Sequence, residues 1–287
     1  MDWFFKAALT GGTVLLVMLV ARRGGRRWAG VFAALPTITA PTLAWLAHEE
    51  GMAFAISAAV GSVAACAMLA GFALGYARAS RYGGAALALA CGLVGAAAVA
   101  LPAEAASAHL ADALVLALGC SALAFAAMPN AGAELASPRR PWHSMLLVAT
   151  GVGGLTACAA TLGPSLGGFA TGLVSSLPLI SGSVAMAEHT TSGHRAATIF
   201  LRGYVGGLVG KAAFGAVFAL LAPRIGALAA LSLGCACAAL MSMVRTREAP
   251  AGSSRERALD GSASLPRHSE RNAQVTEHGT HDIGHQR

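Results

Sequence analysis

Long apolar stretches separated by short polar ones make up most of the chain. A continuous apolar helix of about 20 residues is long enough to cross the hydrocarbon core of a bilayer, and nine stretches of this kind precede residue 246. They span residues 4–21, 28–47, 52–77, 83–102, 109–129, 142–163, 165–188, 195–221 and 225–245. The pattern therefore predicts an all-α membrane protein with nine transmembrane helices.

The charged residues between these stretches favour one sign in every second loop. The positive loops carry Arg22, Arg23, Arg26, Arg27, Arg78, Arg81, Arg139, Arg140 and Arg195, and arginines recur from Arg245 onward. The loops in between carry Glu49, Glu50 and Glu104, with Arg224 as the exception. Because cytoplasmic loops are enriched in Lys and Arg, the alternation predicts a multi-pass protein of the bacterial inner (plasma) membrane. Its N-terminus would lie outside and its C-terminus in the cytoplasm.

The overall composition narrows the class of protein further. Hydrophobic residues make up 56% and charged residues 11% of the chain, against about 25% charged residues in soluble domains. The net charge of +7 comes largely from arginines that cluster at loop positions, so we assign it to membrane orientation and expect no nucleic-acid partner. The six cysteines lie in apolar stretches without metal-ligand spacing, and we find no phosphate-binding loop or nucleophile motif. We therefore expect neither an enzyme nor a bound cofactor or metal.

The two halves of the chain match when the first is shifted by 142 residues without gaps. Residues 30–39 read Gly-Val-Phe-Ala-Ala-Leu-Pro-Thr-Ile-Thr, and residues 172–181 read Gly-Leu-Val-Ser-Ser-Leu-Pro-Leu-Ile-Ser. Further matches pair Gly51 with Gly193, Gly61 with Gly203, Val63 with Val205, Phe72 with Phe214, and Gly84 with Gly226. The alternative is that spans rich in small residues align by chance.

This repeat predicts a 4+1+4 arrangement. The first four predicted spans fall on the last four, and the fifth is left between them. Because one extra crossing separates the halves, the second half starts from the opposite face and is inverted, as in many secondary transporters. We divide the chain into a first repeat (1–103), a linking span and loop (104–140), an inverted second repeat (141–245), and a polar tail (246–287) predicted to be disordered and cytoplasmic.

Two prolines occupy equivalent places in the two halves. Pro36 and Pro178 lie inside predicted spans, where proline removes a backbone hydrogen bond and breaks the helix. The hydroxyl side chains that follow them are Thr37, Thr39, Ser181 and Ser183. Paired broken helices mark the binding sites of secondary transporters, so these residues predict a solute site. The alternative is a packing kink whose hydroxyls bond back to their own helix.

The predicted span 195–221 contains two cations, Arg202 and Lys211. Charges inside a bilayer are costly and usually face a cavity or a partner. Tyr204 and Lys211 follow helical spacing on one face, which predicts that this face binds an anionic group. The alternatives for Lys211 are an ion pair with a carboxylate such as Asp112 or Glu188, or snorkelling to the interface. Arg202 lies near the end of its span and is a candidate for snorkelling or ion pairing.

Acidic residues end two of the predicted spans. His48, Glu49 and Glu50 follow one span, and Glu188 and His189 end another. We interpret both groups as solvated helix ends. A proton-coupling role for Glu188 stays open.

Several short stretches resemble the GlpM family, small four-span membrane proteins catalogued as a domain of unknown function. They are Lys-Ala-Ala-Leu at 6–9, Leu-Leu-Val-Met-Leu at 15–19, Ala-Gly at 29–30, Leu-Pro-Thr at 35–37, and Arg-Ala-Ala-Thr-Ile-Phe at 195–200. The sequence departs from the family at Leu35, where the family has an aromatic residue. The resemblance implies a duplicated four-span unit over most of residues 4–245, with links to glycerol metabolism and exopolysaccharide production. It supplies no catalytic residue.

Together these features predict a transporter of a small, anionic solute, with the lipid bilayer as its surroundings. The rival hypothesis is an accessory or scaffold protein that does not transport. In that case small-residue faces such as Gly203-x-x-x-Gly207 would bind a partner helix.

Overall fold

The computed structural model describes residues 8, 11–12, 15–20, 23, 25–37, 39–130, 146, 149–151 and 178–247, with the backbone alone at 179 and 243–247. Most of the predicted spans 4–21 and 142–163, the first part of span 165–188, and the tail from residue 248 lie outside the described residues. The described helices belong to one unit, Met1–Thr246.

Every regular element within the described ranges is an α-helix, which confirms the predicted all-α class. The helices are α1 Arg26–Ala34, α2 Thr39–Glu49, α3 Met52–Ala79, α4 Ala85–Ala98, α5 Ala100–Ala106, α6 Leu110–Ala127, α7 Leu179–Ser192, α8 His194–Ile225 and α9 Ala227–Arg247.

Five of the described stretches are long and apolar enough to cross a membrane. They are Arg26–Glu49, Met52–Ala79, Ala85–Ala106, Leu110–Ala127 and His194–Ile225, and Ala227–Ser242 is a shorter apolar helix. Each of the five overlaps a span predicted from the sequence, so the described helices are consistent with a membrane-embedded protein. Two of the stretches are divided, since α1 and α2 share the first and α4 and α5 share the third.

Helices α3 and α8 form the centre of the bundle and run antiparallel. Near one end, Ala55 of α3 lies in the same apolar cluster as Phe218 and Ala222 of α8. Further along, a Cβ on Gly215 would lie 2.6 Å from the Val63 side chain, so the two backbones approach closely there. This close approach through small residues is the usual way in which apolar helices pack in a bilayer.

The remaining described helices surround this centre. Helix α4 lies so close to α3 that a Cβ on Gly75 would be 2.5 Å from the carbonyl oxygen of Cys91. The outer surfaces carry large apolar side chains, including Val94 (69% exposed), Val115 (74%) and Leu228 (77%). Apolar side chains that face outward in this way are typical of contact with lipid.

The two ends of the bundle differ in character. One end, which we call the Arg26 end, gathers the start of α1 and the last turns of α3 and α7, with Arg26, Tyr76, Glu188 and His189. The other, the Phe218 end, gathers the end of α2, the start of α3, the later part of α8 and the start of α9. Its apolar cluster comprises Leu43, Leu46, Ala55, Ala58, Ala59, Phe214, Phe218, Ala222, Ala230, Leu231 and Ala238.

Candidate functional site

The chain breaks its helix at Pro36. Helix α1 ends at Ala34, and Leu35 is extended with φ −61° and ψ 152°, as expected for a residue that precedes proline. Helix α2 then begins at Thr39, and its first backbone bond runs from the Ala40 N–H to the Pro36 carbonyl at 2.8 Å. The predicted break inside span 28–47 is therefore present.

Pro178 stands directly before α7 and makes the corresponding bond. The Gly182 N–H donates to the Pro178 carbonyl at 2.7 Å. The residues that lead into Pro178 are outside the described part of the chain, so the predicted interruption on that side is not described. What the structure describes is that Pro36 and Pro178 each start a helix in the same way.

A buried hydroxyl follows Pro178 in the first turn of α7. The Ser181 side chain is 1% exposed, and its Oγ has no hydrogen-bond partner of regular geometry among the described residues. The phenol of Tyr204, on α8, is close enough to interact with this hydroxyl. A buried polar group without a good partner costs free energy, so Ser181 is a candidate ligand-binding residue.

Lys211 and Tyr204 lie on the inner side of α8. Lys211 is 8% and Tyr204 is 4% exposed, and both are close enough to Cys66 of α3 to interact electrostatically with its thiol. The α8 backbone continues to Ile225 beyond Lys211. The snorkelling alternative is therefore disfavoured for Lys211, because its side chain turns toward α3 inside the bundle.

The remaining residues of the predicted site are placed less centrally. Thr39 is buried at the start of α2, whereas Thr37 and Ser183 are half-buried. Among the described residues, Tyr204 is close to Ser181, and both Tyr204 and Lys211 are close to Cys66, a residue that the sequence analysis treated only as an apolar side chain without metal-ligand spacing. Its position on the helix that packs against α8 was the missing information.

A buried ion pair joins α1 to α7 at the Arg26 end. Arg26 Nε donates to Glu188 Oε2 at 2.6 Å, and a terminal guanidinium nitrogen donates to Ser192 Oγ at 2.9 Å. Arg26 is 0% and Glu188 is 5% exposed. Arg26 is therefore buried and not a solvated loop charge, and Glu188 is in an ion pair, with Arg26 as its partner and not Lys211.

The burial of Arg26 follows from the packing of α1. Arg26 is the first residue of α1, and α1 packs so tightly on α8 that a Cβ on Gly30 would overlap the Phe200 carbonyl. The packing carries the guanidinium into the bundle, where Glu188 meets it. The loop-charge pattern predicted both residues at the cytoplasmic face of the membrane. An acidic helix end at the same face as an arginine-rich loop was the sequence signal for this ion pair.

Tyr76 and His189 extend the polar cluster at this end. The Tyr76 hydroxyl lies 3.4 Å from His189 Nδ1, and the two rings meet edge to face with centroids 6.0 Å apart. Partial burial lowers the pKa of His189, and the nearby His194 lowers it further. The buried Tyr76 side chain thus links α3 to the last turn of α7.

Arg202 lies at the C-terminal end of α6. Its guanidinium donates to the carbonyls of Met128 at 3.0 Å and Pro129 at 3.4 Å, and it lies 4.5 Å from the centre of the Phe125 ring. A cation at the C-terminal end of a helix is favourable because the carbonyl dipoles point toward it. The described partners of Arg202 therefore make it a cap for α6, a role that the sequence did not predict.

Two further expectations depend on this geometry. Asp112, offered as a partner for Lys211, is exposed in the first turn of α6. The Gly203-x-x-x-Gly207 face, offered as a surface for a partner helix, is occupied within the chain. A Cβ on Gly207 would lie 2.7 Å from the Ala34 Cβ of α1, and one on Gly203 would overlap the Arg27 carbonyl.

Comparisons with family models, with curated proteins and with solved structures gave no match for this chain. Among the described residues, no group of three or more His, Cys, Asp or Glu side chains is arranged to hold a metal ion. The polar side chains described at the inner side of α7 and α8 are the Lys211 cation and the hydroxyls of Ser181 and Tyr204.

Proposed function

We propose that the chain is a membrane transporter of a small anionic solute, bound between α7 and α8. The observation that carries the proposal is the buried Ser181 hydroxyl beside Tyr204, which shares a face of α8 with Lys211. A carboxylate or similar oxyanion would accept hydrogen bonds from the two hydroxyls and interact favourably with the ammonium group.

The architecture that we propose for transport is the inverted 4+1+4 repeat. Its first support is the position of the helix starts: α3 begins at residue 52 and α8 at 194, and α4 begins at 85 and α9 at 227, each pair 142 apart. Both Gly51 and Gly193, directly before α3 and α8, have positive φ, +93° and +84°. A left-handed backbone of this kind favours glycine, which gives a physical reason for the matched pair.

A second support is a repeated side-chain contact. A Cβ on Gly92 would lie 2.8 Å from the Phe72 ring, and a Cβ on Gly234 would lie 2.9 Å from the Phe214 ring. Phe72 and Phe214 are 142 residues apart, as are the two glycines. The same phenylalanine–glycine contact therefore occurs between α3 and α4 and between α8 and α9.

The third support is direction. Helices α3 and α8 are equivalent under the shift, yet they run antiparallel in the bundle centre, as an in-plane two-fold axis requires. With the positive-inside rule, the Arg26 end would face the cytoplasm, because Arg26, Arg78 and Arg195 lie at or near it. The GlpM resemblance fits a duplicated unit of this kind.

A ligand screen tests the proposal. Purified protein is heated with a panel of small carboxylates, phosphates and matched neutral solutes, because a ligand that binds only the folded state raises the apparent Tm. We expect an anion to raise the Tm of the wild type. A charge-assisted hydrogen bond contributes about 1.5–3 kcal/mol, so Lys211→Met should weaken binding roughly 10- to 100-fold.

Arg224→Gln is the matched control, because Arg224 is an exposed cation on the same helix. It should bind as the wild type does. Equal affinity in wild type and Lys211→Met would remove Lys211 from the site. A preference for neutral solutes would contradict the anionic class.

A further inference from the structure

The residues that close the two ends of the bundle are related by the same 142-residue shift but differ in chemistry. Glu188 corresponds to Leu46, His189 to Ala47, and Tyr76 to Phe218. Leu46 and Phe218 are 5% and 0% exposed in the apolar cluster, and Ala47 packs against it. Glu188, His189 and Tyr76 thus occupy positions whose counterparts at the Phe218 end are apolar.

The proposed site is buried in the described conformation, since Ser181 and Tyr204 are 1% and 4% exposed. Transport requires each end to open in turn. The two openings would have different costs, since one separates a hydrogen-bonded ion pair and the other exposes apolar side chains.

We propose that Arg26 and Glu188 are a gate, and that breaking their ion pair opens the Arg26 end alone. This inference rests on the proposed transport function. The pair is suited to the role because it joins the first residue of α1 to the last turn of α7, the helix that carries Ser181. Ser192 adds a second bond to the same guanidinium, and Tyr76 holds the adjacent His189 against α3. Release of α7 from α1 and α3 would uncover Ser181 from that side.

The test measures access to the site without measuring transport. The six native cysteines are replaced by Ala or Ser and Ser181→Cys is introduced as a reporter. Membrane vesicles of both orientations then receive a small, charged thiol reagent that does not cross the bilayer. In the parent, labelling should be slow from both faces, because Ser181 is buried.

Glu188→Gln removes the charge at nearly constant volume and should speed labelling at least tenfold, from the Arg26 face only. The matched control at the other end is Leu46→Ala, at the equivalent position, which should speed labelling from the opposite face only. The charge-swapped protein Arg26→Glu/Glu188→Arg should regain much of the protection. Ser192→Ala, which leaves the ion pair in place, should give a smaller increase.

Size-exclusion profiles and helical content show whether each variant is folded. If Glu188→Gln does not fold, Ser192→Ala and the swapped pair carry the test, and unchanged labelling in Ser192→Ala would then count against the gate. Faster labelling of Glu188→Gln from both faces, or from neither, would overturn the proposal.

Solute binding and flux of the wild type are measured separately. Face-specific labelling without binding or flux of any anion would support the gate and defeat the transport function. Flux of an anion with labelling unchanged by Glu188→Gln would keep the transport function and defeat the gate.

Discussion

The two halves of the described chain share the residues that shape helices and differ in the residues that carry charge. Phe72 and Gly92 recur as Phe214 and Gly234 with the same contact. In contrast, Leu69 of α3 corresponds to Lys211 of α8, and Leu46 of α2 corresponds to Glu188 of α7. The comparison indicates that packing needs the same small and large residues in both halves. The binding and gating roles that we propose need a cation or an ion pair in only one of them.

The largest expected effect on stability comes from breaking the Arg26–Glu188 ion pair, which has no charged counterpart in the comparison. Arg26→Met alone leaves Glu188 buried without its cation and should lower the free energy of unfolding by about 3–5 kcal/mol. Arg26→Met/Glu188→Met replaces the pair by apolar side chains of similar size and should lose much less, because well-packed apolar residues can replace a buried pair. Unfolding measured in detergent micelles checks this, and equal losses in the single and double variants would contradict it.

The next effect tests the glycine–phenylalanine contacts that the two halves of the chain share. Gly92→Ala and Gly234→Ala each push a methyl group into a phenylalanine ring and should cost about 1–3 kcal/mol. The two losses should be similar if the contacts are equivalent. Gly119→Ala on α6 is the control, since its Cβ would meet nothing within 4 Å, and it should be neutral or slightly stabilising. A large loss at one glycine with none at the other would separate the two halves.

A smaller effect concerns Arg202, whose counterpart in the first half is uncharged. Arg202 corresponds to Val60 in the first half, and its guanidinium caps α6. Arg202→Gln should lower the free energy of unfolding by about 1 kcal/mol through the lost dipole and ring contacts. Arg224→Gln, which removes an exposed cation from the same helix, should leave it unchanged within error. Identical behaviour of the two variants would show that the cap contributes nothing.

The smallest expected effect is a pH dependence at the Arg26 end. The pKa of His189 is lowered by burial and by His194, so the folded protein resists protonating this ring. Protons then bind the unfolded chain preferentially, and the contribution of His189 to stability is present above its usual pKa and lost as the pH falls. The Tm of wild type should fall between pH 7.5 and 5.5, and His189→Gln should lose less over the same range. An equal fall in both proteins would assign the dependence to other groups.

The sequence predicted the helical class, the membrane character and the break at Pro36 because each depends on local chemistry. Apolar length defines a span, and a proline interrupts backbone bonding wherever it stands. The spacing of Tyr204 and Lys211 also placed both on the inward side of α8, since helical periodicity is local too.

The partners of the polar residues could not be predicted in this way. Arg26 with Glu188 and Arg202 with Met128 are pairs 162 and 74 residues apart in the chain. Their pairing depends on which helices are neighbours. The loop charges place Arg26 and Glu188 at the same face but do not show that α1 and α7 are adjacent. A reading by loop charge assigned Arg26 to solvent because it stands among four arginines. In the structure, the close approach of α1 and α8 buries Arg26.

Uptake into proteoliposomes tests the central claim most directly. Vesicles with reconstituted wild type, Lys211→Met or Arg224→Gln are loaded with an anion identified by thermal shift, and entry of the labelled anion is followed over time. We predict saturable exchange in wild type and Arg224→Gln and a loss of at least tenfold in Lys211→Met. Equal exchange in all three proteins, or entry no faster than in empty vesicles, would contradict the account.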